Sequence, residues 1–256
     1  MNTFNPELTY GIVSAHPDDH IPHSHLLETA AQYDSQVHEI VHTKGRNGVN
    51  LSGSIDVMDG SREAEGRRSS DYLGIRSYRQ LDAVDGGLSG IETRMAIDTA
   101  VWALEHDIDV LVTLDTGDHP DHAATLRAGR LAARILLTEG VQTSVMELQP
   151  AGRPQHDDYD EYDGLRFDGS PNGVARAVGA ARRNPSQFQV RDGIHDDWPL
   201  VAGYSLEPAT YQRLMQYPLL SDATYRVVTS QHLQAADTVR YTGINHQEQE
   251  YDHAAV

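Results

Sequence analysis

Two short segments place histidine and aspartate together at spacings suited to holding a metal ion: His16-Pro17-Asp18-Asp19 and His119-Pro120-Asp121-His122. Pro120 fits the first position of a helix, where its missing N–H costs nothing. His119 then falls at the helix boundary and His122 in the first turn, and a separation of three lets both imidazoles face one side. Two imidazoles and a carboxylate leave open positions on a divalent ion, as at catalytic zinc sites, where a bound water turns hydroxide-like near neutral pH. Two other readings stand beside this one. Asp18 or Asp19 can cap a helix, and two histidines with one carboxylate are also the facial set of non-haem iron oxygenases. With 14 histidines in the chain, His–Asp neighbours also arise by chance. His156-Asp157-Asp158 and His195-Asp196-Asp197 are read that way, and His23 and His25 are read as loop or cap residues.

The elements around the two segments explain how residues a hundred positions apart can meet. Leu8 to Ser14 is a β-branched apolar run that delivers the first segment from its C-terminal end, and Asp109 to Leu114 does the same for the second. Helical patterns cover Pro22 to Tyr33, Ser61 to Leu73, Glu92 to His106 and Pro120 to Thr138. Ser61 is the expected cap of the second and Gly74 its stop. Further strands are expected at Gln36 to Thr43, Tyr78 to Ala83 and Val141 to Leu148. Strands alternating with helices imply an α/β fold with a mostly parallel sheet covered on both faces, whose sites lie beyond the carboxyl ends of the strands. The acidic Gly152 to Ser170 stretch reads as a loop or exposed hairpin. Helices are expected at Val174 to Arg183 and Pro208 to Tyr217, while the rest of the last third has weak periodicity.

Composition narrows the function classes. The 256 residues hold 20 Lys+Arg against 38 Asp+Glu, a formal charge of -18. That balance argues against nucleic acid or an anionic membrane surface as the main partner. The absence of cysteine removes disulfides, thiolate metal sites and cysteine nucleophiles. No apolar run approaches the length of a membrane span, and the first ten residues lack a basic start and an apolar stretch, so a cytoplasmic location is expected. Lys44 is the only lysine. Acid excess with lysine depletion matches either a chain suited to high salt or an arginine bias of the coding sequence.

Together, Ala15-His16-Pro17-Asp18-Asp19 and His119-Pro120-Asp121-His122 resemble the paired signatures of the LmbE-like (PIG-L) N-acetylglucosaminyl deacetylases. Thr43-Lys44-Gly45-Arg46-Asn47-Gly48 is similar to the family's second-strand loop, Arg62-x-x-Glu65 to its Arg-x-x-Glu helix, Asp85-Gly86 to its Asp-Gly turn, and Ser186-Gln187 more weakly to its His-x-Ser-Gln block. The resemblance spans about residues 8 to 190. It implies a Rossmann-like three-layer fold in one domain over 1–256, with a core at about 8–150 and an irregular C-terminal elaboration. It implies a Zn2+ ion held by His16, Asp19 and His122, with Asp18 as general base, His119 stabilising the tetrahedral intermediate or protonating the amine, and Asp121 orienting a histidine. Arg46, Arg67, Arg68 and Asp85 are the expected substrate-binding residues, although Arg67 and Arg68 are equally read as solvated. The implied substrate is an N-acylated amino sugar of the N-acetylglucosamine type, and the implied assembly is a homo-oligomer. A metal-retaining carbohydrate-binding relative without turnover is the alternative. The chain departs from the family pattern at His20, Arg46, Gly117 and Asn184, which leads us to expect an altered substrate pocket around an intact metal site.

Overall fold

The computed structural model describes residues 4–48, 58–114, 119–148, 163–167, 169–194, 197–215, 223–229 and 231–233. Five strands, β1 (Tyr10–Ser14), β2 (Val37–Thr43), β3 (Ser77–Ala83), β4 (Val110–Leu114) and β5 (Ser144–Leu148), run parallel in the order β3-β2-β1-β4-β5. Every residue of β1, β2 and β4 is buried, as expected of central strands covered on both faces. Chain order reverses between β1 and β4, which are paired from Tyr10↔Val110 to Ile12↔Val112. This is the topological switch point where α/β sheets open a crevice. The result is a Rossmann-like α/β fold in three layers.

One face carries α1 (Ser24–Gln32), which follows a 3-10 turn at Ile21–His23, together with α2 (Met58–Leu73) and α5 (Pro171–Ala181). The other carries α3 (Glu92–Glu105) and α4 (Pro120–Thr138). α4 buries Ala124, Ala128, Ala132 and Ala133, and a Cβ on its Gly129 would lie 2.8 Å from the Thr113 methyl group. Small side chains therefore let α4 lie close to the sheet and fix the direction from which its first turn meets the crevice. Trp102 of α3 is fully buried against Gly11 of β1, where any Cβ would lie 2.8 Å from the indole.

The last third is more regular than its periodicity suggested. β6 (Asp163–Phe167) falls inside the stretch read as a loop or hairpin, and β10 (Ala223–Val228) joins β5 and β6 antiparallel, completing a seven-stranded sheet. A small antiparallel sheet, β7 (Val190–Asp192), β9 (Tyr204–Leu206) and β8 (Leu200–Val201), precedes α6 (Pro208–Met215). α2 begins at Met58, so Ser61 lies inside it and is not its cap. Its stop at Gly74 is as expected: φ is +85°, and Ile75 N–H donates back to Ser70 C=O, closing the last turn. No helix among the described residues is long and apolar enough to cross a membrane. His156 to Asp158, His195, Asp196 and the segment 234–256 lie outside the described residues.

Candidate metal centre and active site

The chain leaves β1 in a tight turn that Asp19 closes on itself. One Asp19 carboxylate oxygen accepts the backbone N–H groups of Ala15 and His16, each at 2.8 Å. On the neighbouring strand end, His119 is the N-cap of α4, its Nδ1 accepting the Asp121 N–H at 3.3 Å, and Pro120 opens the helix. His122 then points from the first turn into the crevice. His16 Nδ1 lies 3.1 Å from His122 Nε2, His122 Nε2 lies 3.2 Å from Asp19 Oδ1, and His16 Nδ1 lies 3.6 Å from Asp19 Oδ2. Zinc bonds of about 2.0–2.1 Å at tetrahedral angles set neighbouring donor atoms about 3.3–3.4 Å apart. The His16–His122 and His122–Asp19 Oδ1 separations are therefore close to those a tetrahedral ion requires, while the 3.6 Å contact of His16 is to the other Asp19 oxygen. His119, exposed, stands edge-on to His16 at 5.0 Å and 4.7 Å from the His122 ring centre, and its donor atom groups with theirs within 4.8 Å.

The far side of His16 is fixed by carboxylates. Its Nε2 lies 3.2 Å from Asp85 Oδ1 and 3.4 Å from Asp121 Oδ2. Asp121, fully buried, also accepts the N–H groups of Gly86 at 2.7 Å and Leu88 at 3.1 Å, and Asp85 accepts that of Asn47 at 2.7 Å. An imidazole held this way keeps its proton on Nε2 and turns the Nδ1 lone pair toward the other donors. Burial opposes charge on Asp19, but the His122 and His16 imidazoles outweigh it and hold this carboxyl well below the usual range. For Asp121, burial is outweighed by the His16 hydrogen bond and the two amides, which bring the carboxyl to about 2. Burial works against the His16 cation, yet Asp19, Asp121 and Asp85 push its pKa up. His119 moves down, through burial and then the two neighbouring imidazoles.

Asp18, beside Asp19, meets the opposite wall of the crevice. Arg62 of α2 bonds one of its oxygens and Arg213 of α6 lies 3.2 Å from the other. Burial raises this carboxyl, and the two guanidinium groups more than reverse the effect, so it stays ionised below the ordinary range. Arg62 also donates to the Gly45 carbonyl. Gly45 has φ +63°, and a Cβ there would run into the Arg62 guanidinium, so the glycine is what lets this arginine reach Asp18. A cavity of about 800 Å³ opens here, lined on one side by His16, Asp18, Asp19, Asp85, His119 and His122 and on the other by Arg62, Gln187, Phe188, Arg213 and Leu214.

Several residues singled out in the sequence do not reach this cavity. Arg67 is exposed, 3.6 Å from Glu63 and stacked over Tyr78, and Arg46 and Arg68 are likewise exposed and outside the lining. The cations that face the site are Arg62 and Arg213. Asp85 reaches the cavity, with its carboxylate engaged by His16 and Asn47. His20 is fully buried between Glu39 and Ser69, with Nε2 2.7 Å from the Ser69 hydroxyl, so this departure alters a polar knot behind the turn and not the pocket wall. Asn184 turns inward, donating to the Ala180 carbonyl, and Gly117 lies outside the described residues. His23 and His25 are core residues, His23 meeting the Tyr225 hydroxyl at 2.9 Å and His25 packing on Gly173. Phe188 and Arg213 had no signal in the sequence, whereas Gln187 sat in the weakest of the quoted blocks.

Residues 12–133 match the family model described as PIG-L, GlcNAc-PI de-N-acetylase. Over that stretch the chain is similar to the PIG-L (LmbE-like) family. The match takes in both His-Asp segments, the Gly45 loop, the Arg62 helix and the Asp85 turn. No curated protein matches the chain by sequence. Among solved structures, the chain resembles N,N'-diacetylchitobiose deacetylase from Pyrococcus horikoshii, with a TM-score of 0.60, 16% identity, and coverage of 86% of this chain and 83% of that one. The A40926 pseudoaglycone deacetylase Dbv21 gives 0.57 at 18% identity, covering 88% of this chain and 98% of that one. GalB, a 4-carboxy-2-hydroxymuconate hydratase from Pseudomonas putida, gives 0.51 at 14%, covering 71% and 80%. Identities this low establish the shared fold. That a hydratase stands beside deacetylases shows that the site, and not the fold, must carry the functional reading.

Proposed function

We propose that the protein is a zinc-dependent hydrolase that removes an acetyl or other short acyl group from an N-acylated amino sugar or its conjugate. The observation that carries this is the triangle of His16, Asp19 and His122 donor atoms set beside the Asp18 carboxylate in one cavity. The family description as a de-N-acetylase supports the same reading. Two imidazole nitrogens and a carboxylate oxygen at near-tetrahedral spacing suit zinc and leave one side open to the cavity. When bound, the ion polarises the amide carbonyl and makes water a nucleophile near neutral pH.

The chain's own residues supply the rest. Asp18 takes the proton of the attacking water as the new C–O bond forms. The C–N bond then breaks, and His119 gives a proton to the departing amine, leaving a carboxylate and a free amine. Asp85 and Asp121 hold His16 in the tautomer that ligation requires, and Arg62 and Arg213 hold Asp18 ionised and aimed.

The double arginine contact on Asp18 also favours a second reading, a carbohydrate-binding protein in which that carboxylate is too firmly held to act as a base. Zinc-loaded protein incubated with a panel of N-acetylglucosamine derivatives separates the two. We expect acetate and free amine in equal amounts, and a fall of about 10²–10⁴ in rate for Asp18→Ala with zinc retained. No release from any N-acyl amino sugar by protein holding one zinc would move the assignment to the binding role.

A further inference from the structure

We propose, resting on the hydrolase reading above, that the group removed is an unbranched alkanoyl chain longer than acetyl, seated in an apolar corner made by Ile21, Pro22, Phe188 and Leu214. All four line the cavity. Ile21, Phe188 and Leu214 belong to one hydrophobic cluster, the core beneath α1, α2 and α5, so the corner is where that core meets the cavity. The polar groups at this end are spent on the protein itself. Arg213 donates from Nη1 to the Gln187 carbonyl at 3.0 Å and from Nη2 to Asp18 at 3.2 Å, and its guanidinium lies over the Phe188 ring, 4.6 Å from the centroid. Gln187 gives its side-chain N–H to the Ser186 hydroxyl at 3.2 Å. A sugar hydroxyl entering here would lose water without gaining a partner, whereas a methylene chain gains by leaving water.

Toward Asp85 the lining is different. Asn47 is exposed at the cavity, its side-chain N–H held by the Asp85 carbonyl, and among the described residues nothing donates to its side-chain oxygen. The reaction decides which part of an N-acyl amino sugar lies at which end. The carbonyl carbon must sit between the metal triangle and Asp18, and the amide nitrogen must face His119, which protonates it. His119 and Asp85 both stand against His16, so the sugar carried by that nitrogen lies at the polar end. The alkanoyl chain leaves the carbonyl carbon in the other direction, past Asp18. There the corner begins: Ile21 N–H donates to the Asp18 carbonyl at 3.1 Å, and the Arg213 that bonds the Asp18 carboxylate immediately precedes Leu214.

The test is a series of glucosamines bearing N-acetyl, N-butanoyl, N-hexanoyl and N-octanoyl groups, with free amine released by the zinc-loaded full-length protein as the readout. Burial of each methylene is worth about fourfold, so kcat/KM should rise by about tenfold or more from acetyl to butanoyl and rise again for hexanoyl. Leu214→Phe, which shortens the corner without making it polar, should cut the hexanoyl-to-acetyl ratio by about tenfold. Hydrolysis that is fastest with acetyl or flat along the series would overturn the proposal and leave the hydrolase reading standing, and so would an unchanged ratio in Leu214→Phe. An equal gain from an octyl aglycone on N-acetylglucosamine would overturn it as well, because the corner would then take the far end of the substrate. If no member of the series is cleaved, the hydrolase reading falls and calorimetry on the metal-free protein decides the corner. Hexanoyl binding about tenfold tighter than acetyl upholds it, and equal affinities or no binding overturn it.

Discussion

The two walls of the cavity are made in different ways. On the metal side, His16, Asp18 and Asp19 lie within four residues of one another, and His119, Asp121 and His122 form an equally short run. Each run is placed by the end of a buried parallel strand, and backbone amides fix the carboxylates: Ala15 and His16 hold Asp19, while Gly86 and Leu88 hold Asp121. The opposite wall is assembled from α2, the turn after α5, and α6. Glu65 of α2 accepts the hydroxyl of Ser186, and Arg213 stacks on Phe188 at 4.6 Å while donating to the Gln187 carbonyl. One wall is a local backbone construction and the other depends on side chains far apart in sequence. The reacting groups need fixed geometry, and the opposite wall reaches them through Arg62 and Arg213 on Asp18, so its other residues can change without disturbing them.

That contrast is broken most sharply by removing a ligand. His122→Ala takes away one corner of the triangle and leaves Asp19 and His16 facing a gap. We expect zinc content to fall to background under dialysis and hydrolysis to drop by about 10³ or more, a barrier increase of roughly 4 kcal/mol. Helix α4 should survive, because its N-cap is His119 and its packing rests on Ala124, Ala128 and Ala132. Unchanged circular dichroism with lost metal is the expected pair of readings. Retained stoichiometric zinc would mean that the triangle is not the metal site.

A smaller loss is expected one step behind the metal. Asp121→Asn keeps the shape of the side chain but removes the charge that faces His16 Nε2 while both backbone amides remain. Partners of this kind are worth about 10–100-fold in metal affinity, so zinc should bind with its stoichiometry intact and its affinity weakened by that factor. The measurement is competition against a chelator. An affinity equal to the parent's would show that Asp85 alone, at 3.2 Å, sets the orientation of His16.

The same division explains what the sequence disclosed. β1, β2 and β4 bury every residue, and with β3 and β5 beside them the first five strands were legible within a few residues at either end. The residues of the metal side were legible with them, because each set is contiguous and the parallel order brings both strand ends to one edge. Arg213 was not legible. It sits on an eight-residue helix whose partners, Asp18, Gln187 and Phe188, are between 25 and 195 residues distant, and no periodicity encodes such a contact. Arg67 and Arg68 were expected at the substrate because their helix opens near the site, but a helix turns about 100° per residue, and five or six positions beyond Arg62 carry them to the solvent side. β6 and β10 were missed because antiparallel strands toward the margin of a sheet carry mixed polar and apolar residues, and pairings such as Tyr225↔Leu148 and Ala223↔Phe167 join residues too far apart in sequence to leave a local mark.

The gentlest probe acts on the wall that sequence did not disclose. Arg213 contributes one of two guanidinium groups on Asp18, and its side chain is 36% exposed, so water screens much of the interaction. Arg213→Ala should retain zinc and lower kcat by less than about tenfold, since Arg62 still holds the other oxygen. The more telling readout is the pH profile. A general base works only when ionised, and Arg213 helps to keep the Asp18 carboxyl below its ordinary range. Removing that cation moves the Asp18 pKa upward, so the acid limb of kcat should shift to higher pH while the alkaline limb stays in place. A shift in the opposite direction, or an acid limb unmoved despite a changed KM, would detach Arg213 from the base and leave it a contact for substrate alone.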